Sequence, residues 1–354
     1  MVRLLLRLIV SVVLVLIAIS CNPSSNTAVR SVVADGAYDS EFPYQPSSRY
    51  LEDVMQSVKR ITCIAYYKVY AFRPEEKVTL RDITPELLSQ HEKTSVFTNN
   101  STSGTGTVIF SSGRRLAILT CAHVVGFTDT IVTYHLDAQR RLTDYLASIA
   151  FKKRQSNFVA VMQEGGDMDI VAMDRDADLA VLGTELNVVP PVPIPAFHYP
   201  LGSAKELGWG TFLYLFGYPS GYKMITKGIV SSPNKDRYGS FLIDAVFTRG
   251  FSGGICLAIR DGMPNFELVG LVKLVSAHAS YVVTPGKDYV GVEDETSEPY
   301  TGSLYIERKT EIEYGITQAI SAERVREFLE QNSDLLSGRG YSVRDLLEPS
   351  AKGL

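Results

Sequence analysis

Polar and apolar positions in this chain alternate in short runs. Residues 58–70 hold β-branched and aromatic side chains with Cys63 among them, a pattern that predicts a first core strand. Residues 103–110 and 116–125 read as two more strands across a turn at Ser111-Ser112-Gly113, and strand, short turn and strand predict a hairpin. Further strand-sized runs follow at 131–136, 145–151, 158–162, 179–182, 211–216, 223–231, 240–247 and 267–275. Short strands recurring at close intervals between turn residues predict an all-β sandwich or barrel. Helical signals are few. A short helix is expected at 85–91, inside a polar stretch, 74–102, that reads as a long insertion. The one convincing helix is 321–331, where Ser321 is placed to cap and Val325, Phe328 and Leu329 fall on one face. Pro190, Pro191, Pro193 and Pro195 mark a crossing that divides the body near 190–205. Residues 332–354 are too few for a further domain and read as a C-terminal tail.

Composition adds one exclusion. The chain has 354 residues, 45% hydrophobic and 21% charged, with a net charge of −4, which sets nucleic acid aside because that partner calls for a basic patch or stripe. The N-terminus changes the picture more. Arg3 and Arg7 precede and flank an apolar run over 8–19, and Ala18-Ile19-Ser20 precede Cys21, which is the plan of a secretory signal. The run is shorter than the roughly 20 residues that cross a bilayer. Export is therefore expected. Ile17-Ala18-Ile19-Ser20-Cys21 also resembles the lipobox of bacterial lipoproteins. That resemblance implies a lipid on Cys21, a signal peptide over 1–21 and a place in the bacterial cell envelope, with a soluble secreted form as the alternative. Residues 22–50, rich in Ser, Asn, Pro, Asp and Tyr, then read as a flexible tether. Cys63, Cys121 and Cys256 are odd in number, widely spaced and without a C-x-x-C pair. Buried free thiols are expected, and neither a metal nor a cofactor.

The candidate chemistry lies at Gly250-Phe251-Ser252-Gly253-Gly254. Glycines let the backbone bend sharply around the serine and let successive N–H groups converge, as an oxyanion hole requires. A serine hydroxyl is a weak nucleophile, so it needs a base, and the base needs a group that fixes its tautomer. Among the five histidines, His123 alone ends a buried strand at a turn, whereas His91, His135, His198 and His278 lie in the insertion, at strand edges or in loops. For the acid, Asp178 stands before Leu179-Ala180-Val181-Leu182, and Asp169 stands before Ile170-Val171-Ala172-Met173. Both fit by the same logic. Asp174 and Asp176 belong to an exposed turn. Gly104-x-Gly106 lacks the third glycine and the following helix of a dinucleotide fingerprint.

Leu119-Thr120-Cys121-Ala122-His123, Asp178-Leu179-Ala180-Val181-Leu182 and Gly250-Phe251-Ser252-Gly253-Gly254 run in the order His, Asp, Ser. Together they resemble the trypsin-like serine proteases. Residues 103–109, Gly217-Tyr218-Pro219, 227–232 and 313–321 are most similar to the HtrA/Deg branch. The resemblance implies an all-β protease domain over 51–331, built as two six-stranded chymotrypsin-like barrels with a C-terminal helix. It implies a triad of His123, Asp178 and Ser252, with the N–H groups of Gly250 and Ser252 as oxyanion donors. It places Val246 at the base of the primary specificity pocket, where an apolar side chain implies cleavage after small or medium aliphatic residues. The implied partners are unfolded envelope proteins and peptides as substrates, and further copies of the chain in a homo-oligomer. Departures accompany these matches. Phe251 replaces the usual Asn, Ile255 replaces Pro or Ala, an insertion separates 127 from 158, and no PDZ domain is expected after the protease body. Residues 277–309 read as an enlarged loop beside the pocket. These departures sustain a second expectation, a protease-fold binding or chaperone module with little turnover. The ring of Phe251 is left either lining the site or packing beside it.

Overall fold

The computed structural model describes residues 34–43, 45–159, 167–245, 248–285, 302 and 304–348. Residues from Asp35 on form one unit. In β1 (Val58–Ala71) apolar positions alternate with polar ones, so that Ile61, Cys63, Ala65 and Tyr67 share one buried face. β1 pairs antiparallel with β2 (Val96–Ser112) on one side and with β5 (Leu142–Val159) on the other. β3 (Arg115–Thr120), β4 (Thr130–Leu136), β6 (Asp169–Asp174) and β7 (Leu179–Glu185) complete a sheet of order β4-β5-β1-β2-β3-β7-β6. β4 is an outer flap on β5.

The other six strands of this sheet curl into a half-barrel. Phe158 bridges Asp167, and the Met168 N–H donates to Asn157 O at 2.9 Å. The buried Asn157 side chain adds a bond to Met168 O at 2.9 Å, and the Asp167 carboxylate accepts the Asn157 N–H at 2.8 Å. The edges of this half-barrel, β5 and the start of β6, thus meet at one backbone bridge reinforced by side chains and not along a ladder. The second barrel is closed, in the order β10-β13-β12-β11-β8-β9. Its strands are β8 (Phe212–Gly217), β9 (Met224–Ser232), β10 (Phe241–Asp244), β11 (Ile255–Ile259), β12 (Phe266–Pro285) and β13 (Leu304–Ser321). β8 and β11 are buried at every position, which is why they read as continuous apolar runs. The all-β architecture is present as one closed six-stranded barrel and one curled half-barrel sheet; the first of the two expected barrels is not closed along a ladder, because β5 and β6 meet only at the Phe158–Asp167 bridge.

Among the described residues the α-helices are α1 (Ser48–Ser57), α2 (Pro85–Gln90), α3 (Ala122–Val125), α4 (Ala322–Gln331), α5 (Ser333–Gly338) and α6 (Arg344–Leu347). In α4 the Ser321 hydroxyl accepts the Arg324 N–H at 3.3 Å, and Val325, Phe328 and Leu329 are buried.

Three segments differ from their sequence reading. The tail folds back: Leu336, Tyr341, Val343 and Leu346 join the main core, with the Tyr341 ring edge-on to Phe110 at 6.1 Å. The tether reading ends by Tyr38, which is 9% exposed and donates to Glu267 at 2.5 Å, while the Asp39 N–H donates to Ile259 O at 2.9 Å. The 74–102 insertion carries α2 over a small apolar cluster of Tyr70, Phe72, Val78, Leu146 and Ile149, and β2 begins within it at Val96. Likewise β12 and β13 run as a paired hairpin into the 277–309 stretch, to Pro285 and from Leu304.

Candidate active site

β3 ends at Thr120, the chain stays extended through Cys121, and α3 then carries His123 into the cleft. Asp178 reaches it from the β6–β7 turn. The Asp174 carboxylate accepts the N–H groups of Asp176 and Ala177, each at 2.9 Å, an Asx turn that reverses the chain. Asp178 takes a left-handed conformation, φ 57°, and its carbonyl accepts the Ala122 N–H at 3.1 Å. Its carboxylate accepts the His123 N–H at 2.9 Å and lies 2.8 Å from His123 Nδ1. The carboxylate side chain is 9% exposed and the imidazole 36%. An acceptor at Nδ1 keeps a proton there and leaves Nε2 as the outward-facing base. Asp169 is exposed in β6, pairs across the ladder with Gly183, and makes no bond to His123.

The serine loop needs its glycines. Gly250 has φ +99° and Gly253 φ +84°; a Cβ at Gly253 would meet Thr105 O at 2.1 Å, and one at Gly250 would meet Tyr218 O at 2.5 Å. Bonds from both barrels fix the loop. The Gly253 N–H donates to Val272 O at 2.9 Å, and the Val272 N–H to Gly254 O at 2.8 Å. From the first barrel, the Thr105 N–H donates to Ser252 O at 2.8 Å. Thr105 Oγ1 donates to Gly250 O at 2.8 Å and accepts the Tyr218 N–H at 2.9 Å. Thr105 O accepts from Thr120 Oγ1 at 2.7 Å. Thr105 therefore ties the strand that leads to His123 to the loop that carries Ser252. Sequence reasoning passed over it, although a polar residue between Gly104 and Gly106 in a buried strand was a signal.

The N–H groups of Gly250 and Ser252 donate to no described residue, whereas those of Phe251, Gly253 and Gly254 are engaged. Ser252 is half-buried, and its Oγ has no hydrogen bond to His123. Phe251 is 1% exposed and belongs to the second barrel's core. Its ring underlies Gly217 and Gly254, where a Cβ would come within 3.0 and 2.9 Å. It packs and does not line the site.

Cys121, His123 and Asp178 bring their donor atoms within 4.8 Å of one another. The set does not suit a metal, because a thiol must ionise to bind one. Burial, and then the Asp178 charge, push the Cys121 thiol well above its ordinary range, and Sγ donates to Val272 O at 3.4 Å. Cys63, Cys121 and Cys256 are all buried free thiols. Val246 and Cys21, the expected specificity and lipidation positions, lie outside the described residues.

Comparison with known proteins gives two findings. The trypsin-like peptidase domain family matches residues 104–271. A solved structure described as the crystal structure of Deg5 is similar over 64% of this chain and 84% of that chain, at 19% identity and a TM-score of 0.33. No match was found among curated protein sequences. The match to the trypsin-like peptidase domain family spans His123, Asp178 and the Ser252 loop.

Proposed function

We propose that this chain is a serine endopeptidase whose nucleophile is Ser252. The observation that carries the reading is the buried Asp178 carboxylate 2.8 Å from His123 Nδ1, beside a glycine-bent serine loop in which the N–H groups of Gly250 and Ser252 donate to no described residue. Ser252 Oγ attacks the scissile carbonyl carbon while His123 Nε2 takes its proton. The N–H groups of Gly250 and Ser252 receive the oxyanion, each such donor being worth about 10²–10³ in rate. The C–N bond breaks, His123 returns the proton to the leaving amine, and the acyl group remains on Ser252. Water then attacks the ester with His123 again as base, which frees the acid and restores the serine. Asp178 holds the tautomer and stabilises the imidazolium. The Ser252–His123 bond belongs to the substrate complex, since such bonds tighten when substrate is bound.

The finer features rest on the sequence. The apolar residue at Val246 supports cleavage after small or medium aliphatic residues. The segment ending at Cys21 supports export to a bacterial envelope with lipid anchoring, and unfolded envelope proteins are the substrates that setting offers. Assembly as a homo-oligomer rests on the HtrA/Deg resemblance alone. A protease-fold binding module with little turnover is the second reading, favoured by the missing Ser252–His123 bond. Incubating an unfolded protein with the wild-type chain and with Ser252→Ala separates the two. Fragments from the wild type alone, ending in aliphatic residues, support the endopeptidase. Binding by both chains with no fragments supports the module, and fragments ending in Lys or Arg overturn the aliphatic pocket.

A further inference from the structure

Cations with no ion pair to a described residue gather on one side of the serine loop. Arg60 in β1 pairs across the sheet with Thr105, whose N–H holds Ser252 O. Its guanidinium lies against the 218–221 turn, where a Cβ on Gly221 would meet Nη1 at 2.9 Å. Its Nε donates to Ser103 Oγ at 3.4 Å. That turn is fastened to the serine loop, since the Ser220 N–H donates to Arg249 O at 2.7 Å. Arg249 directly precedes Gly250 and is exposed, as is Lys223 just past the turn. Lys59, next to Arg60, is held below the ordinary lysine range first by burial and then by Lys223. Arg60, Lys223 and Arg249 make no ion pair with a described residue. Arg260, by contrast, pairs with Glu206 and Glu267 at 2.9 and 2.8 Å. In a chain of net charge −4, an unmatched cluster beside the reacting centre asks for an anion from outside.

The position of the cluster selects the part of the substrate it meets. His123 delivers a proton to the leaving amine, so the leaving segment lies beside α3. Residues 102–104 run between α3 and Ser252: Thr102 Oγ1 donates to Val124 O at 2.5 Å, and a Cβ on Gly104 would meet the Val124 side chain at 2.6 Å and Ser252 O at 3.1 Å. Arg60 stands next along this path, at Ser103.

We infer that the Ser252 centre selects peptides with an acidic side chain shortly after the scissile bond, received by Arg60 with Lys223 and Arg249 around it. This inference rests on the endopeptidase reading. An extended leaving segment passes 102–104 and brings an Asp or Glu to the guanidinium, which offers paired N–H donors to a carboxylate.

Three quenched, C-terminally amidated peptides test it, identical except for Asp, Asn or Lys at the second residue after a mapped cleavage site. With the full chain at low salt, kcat/KM falls in the order Asp, Asn, Lys, with about fivefold between the extremes, the scale of partly exposed charge pairs. The spread shrinks at high salt. Arg60→Glu reverses the order and Arg60→Lys keeps it. Equal rates for the three peptides, or an unchanged order in Arg60→Glu, overturn the inference and leave the endopeptidase reading standing. If no peptide is cleaved, that reading fails, and anisotropy of the same peptides on Ser252→Ala decides the surface by itself. Tighter binding of the Asp peptide supports the acidic preference, and equal binding overturns it.

Discussion

Thr105 is the residue whose loss most sharply tests how the serine loop is held. Thr105→Val keeps the volume and the β-branch and removes only the hydroxyl, at a fully buried position. Two groups lose their partner, the Gly250 carbonyl at 2.8 Å and the Tyr218 N–H at 2.9 Å, while the backbone bond from Thr105 to Ser252 O survives. A buried polar group left unpaired costs about 1–3 kcal/mol, so the pair costs roughly 2–6 kcal/mol, a large part of the stability of an ordinary domain. The strain falls on Gly250, whose φ of +99° persists because its surroundings impose it. A displacement on the order of 1 Å at a reacting centre costs about 10²-fold in rate. The variant is expected to unfold at lower urea. Well below its unfolding transition it is expected to react with a fluorophosphonate at least about tenfold more slowly than the wild type. Thr105→Ser restores the hydroxyl and most of the labelling rate. If Thr105→Val matches the wild type in both urea midpoint and labelling rate, the tie between the barrels contributes nothing and the argument is wrong.

Other outcomes follow from single features. Phe251→Ala empties a core position and is expected to cost about 3–5 kcal/mol in urea unfolding; a cost near zero would mean that the ring is not packed. Asp178→Asn is expected to lower kcat by about 10⁴, whereas Asp169→Asn stays near wild type, and the opposite result would reassign the acid. Burial pushes the Cys63 thiol up to about 12 and raises those of Cys121 and Cys256. Unfolded thiols ionise near about pH 8.5. The folded state therefore keeps its full stability below that value and loses it as pH rises towards the folded values. The urea midpoint should fall between pH 7.5 and pH 10.5, and iodoacetamide at pH 8 should spare the three thiols until urea is added. A constant midpoint, or labelling of the native chain, contradicts this.

What the sequence made legible is the chemistry that local backbone demands. A serine among glycines, a histidine ending an apolar strand and an aspartate opening one are each written within about five residues, and the strand runs reported an all-β sandwich or barrel. Tertiary contacts were illegible. Asp169 and Asp178 both precede an apolar strand, and only the turn built on Asp174 decides which one faces Ala122. Thr105 acts on Gly250 across 145 positions, and no local pattern announces such a bond. The C-terminal helices span 6 and 4 residues, too short to display a helical period, so their burial of Leu336 and Leu346 shows only in three dimensions. Tyr38 looked like part of a polar tether because its partner, Glu267, stands 229 positions away. Phe251 replaces a polar residue of the resembling family without touching the cleft, since its ring turns into the second barrel beneath Gly217.

The central claim is that Ser252 is a nucleophile activated by His123. Mass mapping of the folded chain after reaction with a fluorophosphonate tests it most directly. The account predicts one adduct, on the peptide containing Ser252, absent in Ser252→Ala and strongly slowed in His123→Ala. No adduct on the folded wild type, or an adduct on another residue that persists in Ser252→Ala, would contradict it.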